Sequence, residues 1–315
     1  MKTVTVRAKF KGELISGEHV LVRSDADTFV IRHPSHGLIK LPIAAAVNGV
    51  TRDENTTVLS YDEVVEDINS RFDVLNRLVD GVVSQSIRSL IVSGAPGVGK
   101  TYSIDTKLRN AAKNEAVGKY TSNRGTISPI GLYILLYGHK NPGDVLVIDD
   151  CDTVFEQLDA LNILKAALDT GEYRYISYAK EAYALTERQI PSRFEFKGSV
   201  IFVSNIDFDG VIASGGKMAP HVNALMSRSL YVDLGLHSRQ ALLARVESVC
   251  RDSDMLRKRG LSEEEIGMVV AWIKDNAGSL RSLCLRTADQ LARLVKVGGN
   301  WRLDAKVTLL KPKKV

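Results

Sequence analysis

A glycine-rich stretch near residue 95 constrains this 315-residue chain more than any other feature. An apolar run, Leu90-Ile91-Val92, predicts a buried strand, and the residues after Thr101 have helical character. Between them the chain matches the G-x-x-x-x-G-K-[ST] motif, as Gly94-Ala95-Pro96-Gly97-Val98-Gly99-Lys100-Thr101. A strand before this motif and a helix after it form the context in which the motif binds the phosphates of a nucleotide.

Each residue type in the motif has a physical role in phosphate binding. The glycines Gly94, Gly97 and Gly99 permit backbone conformations, and a close approach of a ligand, that a Cβ would obstruct. The backbone N–H groups and the positive end of the following helix then face a polyphosphate. Lys100 supplies a cation for the β- and γ-phosphates, and the Thr101 hydroxyl is a ligand for Mg²⁺. The stretch therefore predicts a nucleotide-binding site.

The composition is that of an ordinary globular chain, with 44% hydrophobic and 25% charged residues. Its length suits about two domains, each able to bury its own core. A net charge of +5 is compatible with nucleic acid but does not by itself indicate it. No run approaches the roughly 20 apolar residues that a membrane span needs, and the three cysteines lack metal-ligand spacing. We therefore expect a cytoplasmic protein with reduced thiols and no membrane partner.

The chain divides into three segments of different character, and together they predict an α/β fold with two smaller parts. Residues 1–60 contain short β-branched runs between turn residues, which predicts a small antiparallel sheet or barrel. In residues 61–235, continuous apolar strands alternate with helices, which predicts a parallel sheet covered on both faces. Residues 236–315 predict helices, over 238–251, 262–276 and 279–297, and then a solvated basic tail.

Polar residues follow the predicted strands at the points where these end. Asp149 and Asp150 follow one apolar run, and Asn205 follows the next. Because ligands bind at the carboxyl ends of parallel strands, we expect these side chains beside the glycine-rich loop. Asp149 would hold Mg²⁺ through water. Asp150 would orient or deprotonate the water molecule that attacks the γ-phosphate during hydrolysis. Asn205 would hydrogen-bond that water or the γ-phosphate.

Residues from about 61 to 297, some three-quarters of the chain, resemble an AAA+ ATPase, in which an α/β nucleotide-binding domain precedes a small helical lid. The resemblance implies ATP and Mg²⁺ as cofactors, Asp149 as the Walker B aspartate and Asn205 as sensor 1. The family usually carries glutamate after the Walker B aspartate, whereas this chain has Asp150. This carboxylate is shorter by about one C–C bond, and catalysis is sensitive to misplacement near 1 Å. A nucleotide-gated scaffold with little turnover therefore stays open as an alternative.

The resemblance also implies two arginines that sense nucleotide. Arg228, in Ala224-Leu225-Met226-Ser227-Arg228, resembles the arginine finger that reaches the γ-phosphate of a neighbouring subunit. Arg281, in Ser279-Leu280-Arg281 at the start of the last predicted lid helix, resembles sensor 2, and Arg286 is its rival. A finger acting between subunits implies a ring or open spiral, commonly a hexamer, with nucleotide between protomers.

Two segments would line the central pore of such a ring. Residues 120–129 contain Asn123, Arg124 and Thr126 in place of the aromatic–hydrophobic pair with glycine that protein unfoldases carry, which suits phosphates. Residues 171–198 alternate like a two-stranded hairpin and carry basic and aromatic residues, as helicase-like members of the family do. Such a surface suits single-stranded DNA. A structural hairpin whose aromatic residues pack on the core is the alternative.

Two classes of function follow. The first is an ATP-driven motor or loader acting on DNA in replication or recombination, of a style that suits a phage or mobile element. The second is an ATP-dependent remodeller of a protein complex, with residues 1–60 docking the client. The tyrosines between Tyr173 and Tyr183 would then grip polypeptide.

Overall fold

The structure is a computed structural model that describes residues 3–10, 13–24, 28–33, 37–42, 61–180, 183–236 and 238–312. Its first four strands are β1 (Thr3–Phe10), β2 (Glu13–Ser24), β3 (Thr28–His33) and β4 (Gly37–Pro42). They pair antiparallel in chain order. Alternate residues share one face of the sheet, where they form a small core of Val4, Val6, Ile15, Phe29, Ile31, Ile39 and Leu41. The predicted N-terminal antiparallel sheet is confirmed.

A five-stranded parallel sheet forms the centre of the chain. Its strands are β5 (Ser89–Ser93), β6 (Tyr120–Arg124), β7 (Val145–Asp149), β10 (Ser199–Ser204) and β11 (Leu230–Asp233). Their order across the sheet is β11-β5-β10-β7-β6. The three inner strands are buried along their whole length, because helices cover both faces of the sheet. This burial on both faces is what the continuous apolar runs predicted.

The helices on the two faces of the sheet pack on different side chains of the same strands. Leu90 and Val92 point to one cluster, which is covered by α1 (Tyr61–Val83) and α2 (Lys100–Lys113). Ile91 points to the opposite cluster. That face is covered by α3 (Pro129–Tyr137), α4 (Leu158–Ala167), α6 (Phe208–Ser214) and α7 (Ala219–Met226).

Residues 120–129, predicted to line a pore, instead begin with strand β6 of the central sheet. Residues Tyr120–Arg124 form the edge strand of the sheet, and a shorter connection of 125–128 leads from it to α3. The sequence pattern does not indicate this strand, because a half-buried strand that pairs on one side carries no apolar run. Its carboxyl end therefore lies at the same edge as those of β5, β7 and β10.

Four helices form a separate apolar core after the sheet: α8 (Arg239–Asp252), α9 (Glu263–Asn276), α10 (Leu285–Val297) and α11 (Trp301–Leu309). Helix α9 begins with the predicted capping arrangement, since Ser262 accepts a hydrogen bond from the Glu265 N–H and donates its own N–H to the Glu265 carboxylate. This is the predicted helical lid, and the predicted fold class is confirmed. No helix of the described residues combines the length and apolar character that crossing a bilayer requires.

Two expectations about this helical segment were wrong. The last predicted helix, 279–297, begins only at Leu285, because Leu280 forms a β-bridge with Leu310 at the end of α11. The predicted solvated tail contains α11, whose Trp301 and Ala305 are buried in the lid core. The final residues, 313–315, lie outside the described part of the chain.

Candidate nucleotide-binding site

A cavity of about 1370 Å³ opens between the glycine-rich loop, the carboxyl ends of the strands and the lid. It is larger than the roughly 300–1,000 Å³ of a common ligand pocket. Its acidic lining residues are Asp105, Asp150, Asp252, Asp254 and Asp289. The basic ones outnumber them and are Lys100, Arg109, Arg124, Arg245, Lys258, Arg259, Arg286 and Arg293. Because cations come from both core and lid, the cavity suits a polyanionic ligand held between the two.

The glycine-rich loop, Gly94 to Thr101, has the backbone geometry that its motif predicted. Gly97 and Gly99 have φ of +73° and +99°, a region that side chains with a Cβ rarely adopt. Helix α2 begins at Lys100 directly after Gly99, so its free N–H groups and the positive end of its dipole lie at the loop. An anion in the cavity would therefore meet backbone donors as well as charged side chains.

The Lys100 ammonium is buried and lies among oxygen acceptors. Its Nζ donates to the carbonyl oxygens of Gly94 and Ala95 at 2.6 and 3.0 Å, and to Asn205 Oδ1 at 2.8 Å. Burial lowers the pKa of Lys100 to about 8, although the nearby Asp150 and Asp149 oppose this shift. These acceptors hold the ammonium at the loop, where it can exchange them for the oxygens of a phosphate.

Thr101 and Asp149, the two residues predicted to hold Mg²⁺, are in direct contact. The Thr101 hydroxyl donates to Asp149 Oδ1 and Oδ2 at 3.1 and 3.0 Å. Burial raises the pKa of Asp149, whereas the Thr101 hydrogen bond lowers it. No described group of three or more His, Cys, Asp or Glu residues can hold a metal alone. The pair fits Mg²⁺, which binds through one or two protein oxygens and otherwise takes water and phosphate.

Asp150 and Asn205 meet at the mouth of the same cavity. Asn205 Nδ2 donates to Asp150 Oδ1 at 2.7 Å, so Asn205 bridges Asp150 and Lys100. Asp150 has φ of +51°, a left-handed conformation that aspartate tolerates better than most residues and that turns the chain sharply after β7. The neighbouring Asp152 accepts a hydrogen bond from the Ser204 hydroxyl, which is a structural role. The exposed Asp150 carboxylate is thus held at the cavity by its backbone and by Asn205.

The lid contacts the glycine-rich loop directly. The Leu285 N–H, at the start of α10, donates to the Gly97 carbonyl at 2.9 Å. A Cβ on Gly97 would lie 2.9 Å from the Cys284 Cβ, so the two backbones approach as closely as glycine permits. Arg286 follows in the first turn of α10 and lines the cavity. The amino end of α10 therefore carries a guanidinium to the side of the loop where Lys100 lies.

The structure does not place Arg281, the predicted sensor 2 residue, at the cavity. Its Nε donates to the Leu310 carbonyl at 2.9 Å, and it is not among the described residues that line the cavity. It precedes α10 by four residues, because the bridge of Leu280 to Leu310 displaces the helix start. Of Arg281 and Arg286, the two residues that the sequence suggested for this role, Arg286 is the one that lines the cavity.

Arg228 lies outside the cavity of its own chain. It follows α7, where Nη1 donates to the Ala224 carbonyl at 2.7 Å and Nε lies 3.5 Å from Asp169. The side chain is about one-third exposed, at 36%. The described residues that line the cavity of this chain do not include it. This placement agrees with the predicted role between subunits and does not test it.

The segment 171–198 contains the predicted hairpin. Strands β8 (Tyr175–Ser177) and β9 (Arg193–Glu195) pair antiparallel, with the short α5 (Tyr183–Glu187) between them. One face is buried through Ile176 and Phe194. Arg174 is also buried and donates to the Ala167 and Gly198 carbonyls, which anchors the hairpin base. Burial lowers the pKa of Arg174 to about 10.

The other face of the hairpin is exposed and carries Tyr175. The Arg193 guanidinium lies 4.4 Å from the ring centroid of Tyr175, and Tyr173 is 61% exposed beside it. Tyr183 is exposed, whereas Lys180 forms an ion pair with Asp159. Some aromatic side chains of this segment pack on the core and others face solvent, and DNA binding by the exposed ones stays a prediction.

Two cavity residues were missed or misassigned from the sequence. Arg124, expected to face nucleic-acid phosphates, lies at the nucleotide site, with Nε 3.0 Å from Asp149 and Nη2 2.7 Å from Asp105. Recognition of β6 as a strand would have placed Arg124 there. Arg245 stacks 3.5 Å from the Phe72 ring centroid, and burial lowers its pKa to about 10. No local signal distinguished Arg245 from other arginines of α8.

Comparison with known proteins gives one relative along nearly the whole chain. The chain is 40% identical over 314 residues to an uncharacterized 36.7 kDa protein from the nrdC-mobD intergenic region of Enterobacteria phage T4, and the match covers 95% of both chains. No family model matches.

Solved structures are similar only at the level of fold. One is a DNA replication initiation factor, at 11% identity and a TM-score of 0.41, covering 80% of this chain and 66% of that one. Another is NtrX from Brucella abortus, at 13% identity and a TM-score of 0.43, covering 81% and 58%. The chain thus spans less than two thirds of the length of either.

Proposed function

This chain belongs to the family of the uncharacterized phage T4 protein, and we propose that it is a ring-forming AAA+ ATPase that couples ATP hydrolysis to movement or loading on DNA. One observation carries the ATPase proposal. Five side chains, from the start of α2 and the carboxyl ends of β7 and β10, form one hydrogen-bonded group at a cavity beneath a cationic lid: Lys100, Thr101, Asp149, Asp150 and Asn205. A glycine-rich turn without a ligand would need none of them in this arrangement.

The proposed mechanism assigns each side chain a step. Lys100 exchanges its carbonyl acceptors for the β- and γ-phosphates, and Arg286 neutralises charge from the lid side. Mg²⁺, held by Thr101 and Asp149 with phosphate oxygens, would neutralise the charge that develops on the phosphates. Asp150 orients or deprotonates the attacking water, and its hydrogen bond with Asn205 fixes its direction.

The second part of the proposal is an assembly of subunits. Arg228 does not line the cavity of its own chain, and in this proposal its partly exposed guanidinium serves the neighbour's γ-phosphate, as a finger in a ring, commonly a hexamer, does. In this proposal residues 61–235 are the nucleotide-binding domain and residues 236–315 form the lid and its basic end. Nucleotide would lie between protomers, and hydrolysis would move the lid against the core.

The third part concerns DNA. The exposed face of the hairpin joins a cation to an aromatic ring, through Arg193 and Tyr175, with Tyr173 next to them. Bases stack on such rings and phosphates pair with such cations, largely without regard to sequence. The proposal therefore assigns single-stranded DNA to this face, and the former candidate Arg124 has no part in it.

The test is steady-state ATP hydrolysis with and without single-stranded DNA, at low and moderate salt. Stimulation by DNA should fade as salt rises, because neutralised phosphates release counterions. Tyr175→Ala and Arg193→Gln should lose this stimulation and keep basal turnover, whereas Lys306→Gln, on the exposed side of α11, should keep both.

Other outcomes separate the alternatives. Basal turnover without any stimulation by DNA would contradict the DNA proposal. It would favour a protein remodeller. This alternative is supported by the exposed Tyr173 and Tyr183 and by the N-terminal sheet. Nucleotide binding without turnover would favour the nucleotide-gated scaffold and make the short Asp150 carboxylate its cause.

A further inference from the structure

Arg124 forms an ion pair with the carboxylate that is proposed to hold the metal. It ends β6, beside the end of β7, and its Nε lies 3.0 Å from Asp149 Oδ2. Its Nη2 lies 2.7 Å from Asp105 Oδ2. The guanidinium thus bridges two carboxylates while 56% of the side chain stays exposed to the cavity.

Asp105 is built to hold this guanidinium. It lies one turn after Thr101 on α2, and its side chain is only 11% exposed. The Tyr120 hydroxyl donates to its Oδ1, which leaves Oδ2 directed at Arg124. Since a buried carboxylate without partners is costly, Tyr120 and Arg124 together account for its presence at this depth.

The carboxylate oxygens of Asp149 are contacted by protein side chains and are also the proposed ligands of the metal. Thr101 and Arg124 both bind it, and the charge of Asp150 lies nearby. A guanidinium at this carboxylate supplies the positive charge that a divalent cation would supply, so both cannot fully occupy it. Arg124 can withdraw without losing all its partners, because Asp105 keeps it at the site.

We propose that Arg124 is a positioning residue that neutralises Asp149 in the metal-free site and yields this carboxylate to Mg²⁺ when the metal–nucleotide complex binds. The inference rests on the proposed nucleotide site. It makes Arg124 a competitor of the metal, and it links metal occupancy to β6 and to the turn at Gly125, where φ is +97°. Removing the cation should therefore strengthen metal binding.

The experiment measures Mn²⁺, as a paramagnetic probe for Mg²⁺, by electron paramagnetic resonance in the presence of saturating ADP. Arg124→Gln should bind Mn²⁺ about threefold to tenfold more tightly than the wild type, because the lost ion pair is partly exposed. Arg124→Lys keeps a competing charge and should remain close to the wild type. Lys107 lies on α2, the helix that carries Thr101 and Asp105, and pairs instead with Asp80. Lys107→Gln should therefore change nothing.

The outcomes are distinguishable. Wild-type protein that binds no ADP with or without Mn²⁺ would remove the proposed function, and this inference with it. Wild-type protein that binds ADP, combined with an unchanged or weakened Mn²⁺ affinity in Arg124→Gln, would overturn the inference and leave the proposed function standing. Thermal unfolding of each variant without ligand separates a metal effect from a folding defect.

Discussion

Replacement of Gly97 by alanine should separate the lid from the glycine-rich loop. A Cβ at this position would lie 2.9 Å from the Cys284 Cβ and 3.0 Å from its Sγ, and Gly97 has φ of +73°. The Gly97 carbonyl also accepts the Leu285 N–H at 2.9 Å, and relief of the clash would break this bond. The substitution therefore acts on the local backbone and on the lid contact at once.

The magnitude follows from these two effects. A left-handed backbone costs a residue with a Cβ about 1–2 kcal/mol, and the lost hydrogen bond costs about 0.5–1.5 kcal/mol. Together they disfavour the closed lid by about 1.5–3.5 kcal/mol. If ATP binds between lid and loop, its affinity should fall roughly tenfold to three-hundredfold, because each 1.4 kcal/mol corresponds to a factor of about ten.

Calorimetric titration with ATP measures this loss, and Gly99→Ala is the matched control. Gly99 also has a left-handed backbone, but its Cβ would meet the ends of two flexible side chains, Leu285 at 3.3 Å and Arg245 at 3.9 Å, which can move. A second change, Cys284→Gly, removes both clashing atoms and should recover part of the affinity of Gly97→Ala. Equal losses in Gly97→Ala and Gly99→Ala, without recovery by Cys284→Gly, would refute the lid contact.

Three further predictions concern charge at the site. Burial gives Lys100 a pKa of about 8, and bound phosphate should raise it, so ATP binding should take up about half a proton at pH 8 and almost none at pH 6.5. Titration in buffers of different ionisation enthalpy measures this uptake, and none at pH 8 would contradict the environment of Lys100. Arg286→Ala should weaken ATP binding whereas Arg281→Ala should not, and the reverse would restore Arg281 as the lid sensor. Arg228→Ala should bind ATP and lose turnover, and normal phosphate release in this variant would remove it as the finger.

The same pKa has a consequence for stability without nucleotide. Folding lowers the pKa of Lys100 from its ordinary value of 10.5 to about 8, so the unfolded chain binds more protons between these values. The contribution of Lys100 to the free energy of unfolding is therefore unfavourable below pH 8 and rises as the pH increases from about 8 to 10.5. The site keeps a cation at a cost that a bound polyphosphate would offset.

The parts of the site that lie on the central strands were predictable from the sequence. Continuous apolar runs identify buried parallel strands, and the geometry of a parallel sheet brings their carboxyl ends together. From the sequence alone, this reasoning places Asp149, Asp150 and Asn205 beside Lys100. The motif also predicted that its glycines permit backbone conformations that a Cβ would obstruct, and Gly97 and Gly99 have positive φ.

The parts that depend on distant contacts were not predictable. Ser279-Leu280-Arg281 reads locally as a helix start, but the pairing of Leu280 with Leu310, thirty residues later, delays α10 and removes Arg281 from the cavity. Strand β6 has no apolar run because it lies at the sheet edge, and so Arg124 was assigned to a pore. Pattern-based reasoning fails here because side-chain periodicity reports burial and not partners.

Equilibrium binding of ATP to the wild type and to Lys100→Ala, in Mg²⁺ and by calorimetry, tests the central claim most directly. The account predicts one ATP per chain in the wild type and loss of measurable binding at the same concentrations in Lys100→Ala. Lys107→Gln, on the same helix and outside the cavity, should bind like the wild type. Equal affinities in the wild type and Lys100→Ala would contradict a nucleotide site at this cavity.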